Sequence, residues 1–219
     1  FEIDGLPSLG SAGGIRGVAT GAIELGLSGR PLTDVDAAQG LSQRLFLTTP
    51  FVLVTSTEKP PPLQAKDVAA YLNGERPRWP DGTPVRPIQR PRSDQDVLLL
   101  SQFFPGAEAA LVALRRRIDV PPAASDQDNL TLARQIPGSL TAATLVQVRT
   151  EHPSLGVLSI DGATPSLDSL LEGDYPYSKI ISLVTRPPHG AALVQLLSYL
   201  YSPEVEKLLA ESGAYMLHQ

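Results

Sequence analysis

Proline most constrains what this chain can fold into. It occurs 21 times in 219 residues, about twice the ~5% norm, and it is scattered instead of gathered in one tract. Each proline fixes φ and removes a backbone donor, so it tends to end helices and to stay out of central strands. The chain is therefore expected to be many short elements joined by stiff corners. No apolar run approaches the ~18–20 residues that span a bilayer. With 42% hydrophobic residues the chain can bury a core as one large domain or two small lobes. Eighteen Lys and Arg against 23 Asp and Glu leave a net charge of -5 without a basic stripe, which argues against nucleic acid as a partner. There is no cysteine, so disulfides, thiolate metal sites and a thiol nucleophile are excluded. The sequence opens at Phe1 without a charged or apolar leader pattern, as expected if any signal peptide has been removed.

Along the chain, the glycine-rich turn at 10–14 feeds a helix ending near Gly21, and residues 23–28 alternate as a short strand. Residues 45–57 are β-branched and apolar around Pro50, which predicts two strands meeting there and a crossing between lobes. A helix is expected over 63–72, closed by Asn73-Gly74, then a proline-rich loop, a strand over 85–90, and helices over 97–104 and 107–117. The tetrapeptide Ser-Asp-Gln-Asp stands at 93–96 and again at 125–128, each time before a helical run. Strands are expected at 144–148, 157–160 and 180–185, and two final helices at 191–200 and 203–210, the last capped by Ser202 with Pro203 in its first turn. Alternating strands and helices define an α/β protein.

Ordered pieces of the chain then point to a family: Gly-Ser-Ala-Gly-Gly-Ile-Arg at 10–16, Glu24, Gly-Leu-Ser-Gly-Arg-Pro-Leu at 26–32, the strand pair around Pro50, Lys66-Asp67-Val68 before Leu72-Asn73-Gly74, Trp79, Ile-Pro-Gly-Ser-Leu at 136–140 and Gly-Asp-Tyr-Pro at 173–176. In this order they resemble the periplasmic phosphate-binding proteins of ABC transporters, the type 2 periplasmic-binding-protein-like family. The resemblance implies an α/β fold of two lobes, each a mixed sheet flanked by helices, with the ligand in the cleft. Residues 1–54 and 175–219 would form one lobe and 55–174 the other. The family also has a first strand, loop and helix, and this sequence begins after them.

On that resemblance the ligand contacts would be Ser11, Ala12, Gly13, Ser28, Arg30, Arg90, Ser93, Asp94 and Asp96. The amides of 11–13, at a helix start, are unsatisfied donors that suit an anion, although glycines there also serve a plain cap turn. Gly29 stands where the best-known relatives carry the aspartate that accepts a phosphate proton, so Asp94 or Asp96 would have to take that role. Both Ser-Asp-Gln-Asp segments also read as capping boxes. Enzyme motifs fail: a nucleophile elbow needs glycine where Leu9 stands, and the spacing is not that of a dinucleotide loop. A calcium loop fails because Leu130 stands at a ligand position. His152, His189 and His218 are far apart, without metal or triad spacing, and Arg115-Arg116-Arg117 complements a helix end. The expectation is a monomeric, extracytoplasmic solute-binding protein without cofactor, metal or catalysis. It would capture an oxyanion, phosphate first, for ABC permease subunits. The alternative is a sensor or scaffold of the same fold that has lost tight binding.

Overall fold

The computed structural model describes residues 3–218. Its spine is β2, Ser42–Thr55. It is one continuous strand, not two meeting at Pro50, and it changes partners at that proline. From Ser42 to Pro50 it pairs antiparallel with β6, Ser178–Thr185, with Pro50 opposite Ser178. From Phe51 to Val54 it pairs with β4, Ser139–Thr144. A residue without an N–H fits a strand where the ladder changes sides. β1, Leu25–Ser28, adds to the far edge of β6. The two-residue strand β3, Arg86–Pro87, runs parallel to β4. Two further pairs, β5 at Gly156–Val157 and β7 at Tyr215–Met216, attach to β2.

Strand alternation sorts the core. Phe51 and Leu53 face a cluster built with Leu72, Trp79, Leu100 and Leu111. These come from helices α3, Val68–Asn73, α4, Gln95–Phe103, and α5, Ala107–Leu114, and from the loop that holds Trp79. Val52 and Val54 face the opposite way, onto Leu130, Ala133, Leu145 and Val148, carried by α6, Asp126–Gln135, and α7, Leu145–Glu151. In β6 the same alternation sends Leu183 to Phe46, Val205 and Met216, and Val184 to Ile15, Val18 and Leu41. Helix α1, Gly10–Ala19, supplies Ile15 and Val18, and α10, Pro203–Glu211, supplies Val205. Burying each such large side chain contributes about 1.5–3 kcal/mol, and β2 is the one strand shared by both halves of the sheet.

The return crossing is tied to this spine. Tyr175 is fully buried and donates its hydroxyl to the Phe51 carbonyl at 2.9 Å, and the Phe51 amide donates to the Tyr177 carbonyl at 2.9 Å. Burial pushes the Tyr175 pKa well above the usual phenol value.

Three expectations are corrected. The strand expected at 144–148 lies at Ser139–Thr144, and 145–148 are helical. Leu145 and Val148, three apart, meet the core on one helix face, whereas every residue of β4 is buried. Residues 10–14 are not a loop but the opening of α1. Ser93 caps nothing; Asp94 is the N-cap of α4 and accepts the Asp96 amide at 2.8 Å. Two short helices outside the expected set, α2 at Asp34–Ala38 and α8 at Leu167–Glu172, carry no buried residue. The penultimate helix, α9, is Ala191–Leu200, as its pattern predicts.

Candidate functional site

Five chain segments meet where β2 changes partners. The first is the start of α1. Its N-cap, Leu9, offers no side-chain cap, so amides of the first turn lack intrahelical partners. The helix lies close on β1: a Cβ on Gly14 would sit 3.1 Å from the Leu27 carbonyl oxygen. That closeness lets the Ser11 hydroxyl accept the Gly29 amide at 2.9 Å. The second segment is the turn after β1, where Ser28 donates to the Arg30 carbonyl at 2.8 Å and accepts its amide at 3.2 Å. Arg30 itself turns away to Asp36 at 2.8 Å. That bond, with further ones from Thr33, holds the Asp36 carboxyl at about 2.

The third segment, after β3, carries Arg90, only 6% exposed. Its Nη1 donates to the Ala123 carbonyl at 3.2 Å and to the Ser125 carbonyl. Its Nη2 donates to Asp94 and, at 2.6 Å, to Asp126. Asp94 and Asp126 are the second residues of the two Ser-Asp-Gln-Asp segments, so the repeat brings equivalent carboxylates onto one guanidinium. The fourth segment is the start of α6, where Ser8 donates to Asp126 at 2.7 Å and its amide to Gln127 at 3.0 Å. The fifth is the start of β6, from which Lys179 donates to the buried Asp96.

The cluster thus holds three carboxylates, Asp94, Asp96 and Asp126, against two cations, Arg90 and Lys179. Burial, then Asp96, pushes the Asp94 pKa up despite Arg90 beside it. For Lys179, burial works against the charge, but Asp96 outweighs it and the pKa lies above the ordinary value. Such an arrangement offers backbone donors, a hydroxyl, two cations and a carboxylate inclined to hold a proton. It has the pieces for gripping a small protonated oxyanion.

Of the expected contacts, Ser11, Ser28, Arg90, Asp94 and Asp96 lie on these converging segments. Ala12 and Gly13 are in the first turns of α1, Arg30 is committed to Asp36, and Ser93 is exposed. Sequence reasoning missed Ser8, Asp126 and Lys179 as site residues. Asp126 was detectable as the counterpart of Asp94 in the repeated tetrapeptide, and Lys179 only by standing just past the Tyr-Pro-Tyr crossing.

The chain belongs to the PBP superfamily, whose domain model matches residues 5–204. Among solved structures it is similar to a phosphate ABC transporter substrate-binding protein with bound phosphate from Clostridium perfringens, at 14% identity and a TM-score of 0.77 over 95% of this chain and 84% of that one. It is also similar to an ABC-type phosphate transport receptor from Vibrio cholerae, at 16% identity and a TM-score of 0.60 over 95% and 86%. A high-affinity periplasmic phosphate-binding protein, PfluDING, bound with phosphate, shares 10% identity and a TM-score of 0.70 over 95% and 82%. At these identities the likeness is one of fold. No curated protein sequence matches the chain.

Proposed function

We propose that this protein captures a small oxyanion, phosphate first, outside the cytoplasm and delivers it to the permease of an ABC importer. The observation that carries the reading is the convergence of the α1 start, the 28–30 turn, Arg90 and Lys179 from separate parts of the chain into one linked cluster. Membership of the PBP superfamily and the phosphate-bound neighbours support it. Among the described residues no helix is long and apolar enough to cross a membrane. In this reading residues 1–54 and 175–219 form one lobe and 55–174 the other. Work is done by differential binding to open and closed cleft states, without chemistry.

A second reading, a sensor or scaffold, is favoured by one observation: both buried cations already hold carboxylates. Calorimetric titration of the full-length protein with phosphate and with sulfate separates the two. Phosphate should bind more tightly, because an extra carboxylate beside a dianion is tolerated when a proton lies between them. Arg90→Ala should weaken both anions by about tenfold or more, since it strips the countercharge from Asp94 and Asp126. Equal or absent binding of the two anions leaves the scaffold reading ahead.

A further inference from the structure

Arg90 is the obvious oxyanion ligand, yet its four terminal N–H donors are spoken for. Nη1 serves two carbonyls and Nη2 serves two carboxylates, and Nε is buried without a partner. A guanidinium has five N–H donors, so none of the four on Nη1 and Nη2 is left over for an incoming anion. Lys179 differs. Its ammonium has three donors, and among the described residues its acceptor is Asp96 Oδ1. Both groups are nearly closed off, Lys179 at 11% and Asp96 at 4% side-chain exposure.

The surroundings are arranged for this side chain. A Cβ on Gly29 would lie 2.8 Å from Lys179 Cε and 3.3 Å from Gln95 Cγ, so the missing side chain at 29 is what lets the lysine cross. Gly29 is itself fixed by Ser11, which accepts its amide at 2.9 Å. Lys179 therefore lies against the 28–30 turn as well as α4. The position is also mechanically apt. Lys179 pairs with Thr49 and its neighbour Ser178 with Pro50, the residue at which β2 changes partners, so the lysine and Asp96 tie the start of β6 to α4 beside that change.

We propose that Lys179 is a ligand-binding residue of the cleft, and that Asp96 occupies its ammonium in the empty protein and shares or yields it to the bound oxyanion. The inference rests on the oxyanion-capture reading and adds its main cationic contact. Asp96 then acts as an internal competitor, and Gly29 as the position that admits the lysine.

The test is calorimetric titration with inorganic phosphate and with sulfate of wild type, Asp96→Asn, Asp96→Asn with Lys179→Met, and Gly29→Ala, with melting temperatures recorded for each. The double variant is used because Lys179→Met alone leaves a buried carboxylate unpaired and threatens the fold. Asp96→Asn should bind both anions more tightly than wild type. Adding Lys179→Met should then weaken binding by about tenfold or more. Gly29→Ala, which crowds Lys179 Cε and Gln95 Cγ, should weaken binding by a smaller factor and lower the melting temperature. If Asp96→Asn and the double variant bind alike, Lys179 is no ligand contact and the proposal falls while oxyanion capture stands. If neither wild type nor Asp96→Asn binds either anion, the capture reading itself falls and takes the proposal with it.

Discussion

Arg90 sits in a place where a charge survives only through its partners. A buried ion pair gains less than its Coulomb energy because both groups lose water, and here one guanidinium is shared by Asp94 and Asp126. The Asp94 pKa is nevertheless raised, by burial first and then by Asp96. Its sign for stability follows. Between the ordinary carboxylate value and the raised one, the folded chain holds a proton that the unfolded chain has lost. The contribution of Asp94 is therefore complete below the unfolded value and is lost as pH rises through the folded one. Urea unfolding of wild type and Asp94→Asn from about pH 4 to about pH 8 should show wild type losing ground to the variant as pH rises. Asn caps a helix as well as Asp does and does not titrate here. A flat difference would show that Asp94 ionises normally. Asp36 works in the opposite direction in a lower window: its pKa falls from 3.8 to about 2, so its contribution is present above 3.8 and disappears as pH drops toward 2.

Helix α6 shows how an element can border the cleft and still be held by local chemistry. Ser125 accepts the Asp128 amide at 3.0 Å while Asp128 accepts the Ser125 amide at 3.2 Å, a reciprocal capping box. What Ser125 gives Arg90 is its carbonyl, which any residue would supply. Ser125→Ala should therefore cost about 0.5–2 kcal/mol of stability in chemical denaturation and leave phosphate affinity within about twofold, since no ligand hydrogen bond is lost. A large loss of affinity at unchanged stability would put the hydroxyl in the site. The other Ser-Asp-Gln-Asp segment behaves differently although its letters are the same. There the cap moves one residue on, to Asp94, which accepts the Asp96 amide through one oxygen and meets Arg90 through the other.

Across the whole molecule, the capture reading requires the halves on either side of Pro50 to move together when ligand arrives. Connections between them include continuous β2, the Val146 amide donating to Thr49 Oγ1 at 3.3 Å, the Lys179 to Asp96 pair, and the bonds from Ser8 to Asp126 and Gln127. With no native cysteine in the chain, spin labels can be placed cleanly on cysteines introduced at exposed Gln195 on α9 and Glu108 on α5. Phosphate should narrow and shift the distance distribution between them. The same titration on Arg90→Ala should need more phosphate for the same change. An unchanged distribution at saturating phosphate would mean a rigid scaffold.

The sequence by itself determined the local half of this protein. The α/β class, the helices ending near Gly74 and Phe104, the Ser125 box and Ser202 as a cap are set by residues a few positions apart. Helix periodicity, caps and proline act within one or two turns, and such effects can be read along a chain. Tertiary structure decided the rest. Ser139–Thr144 is a strand because it lies beside Phe51–Val54, not because Ser-Leu-Thr-Ala-Ala-Thr favours extension. Arg30 and Arg90 look alike in sequence, but Arg30 goes to Asp36 near the surface, whereas Arg90 is buried between carboxylates 4 and 36 residues away. Lys179 reaches Asp96 across 83 residues, and no motif links them. A buried charge takes its partner from whichever segment the folded sheet brings within hydrogen-bond reach, and that choice exists only once β2 has aligned both halves of the chain.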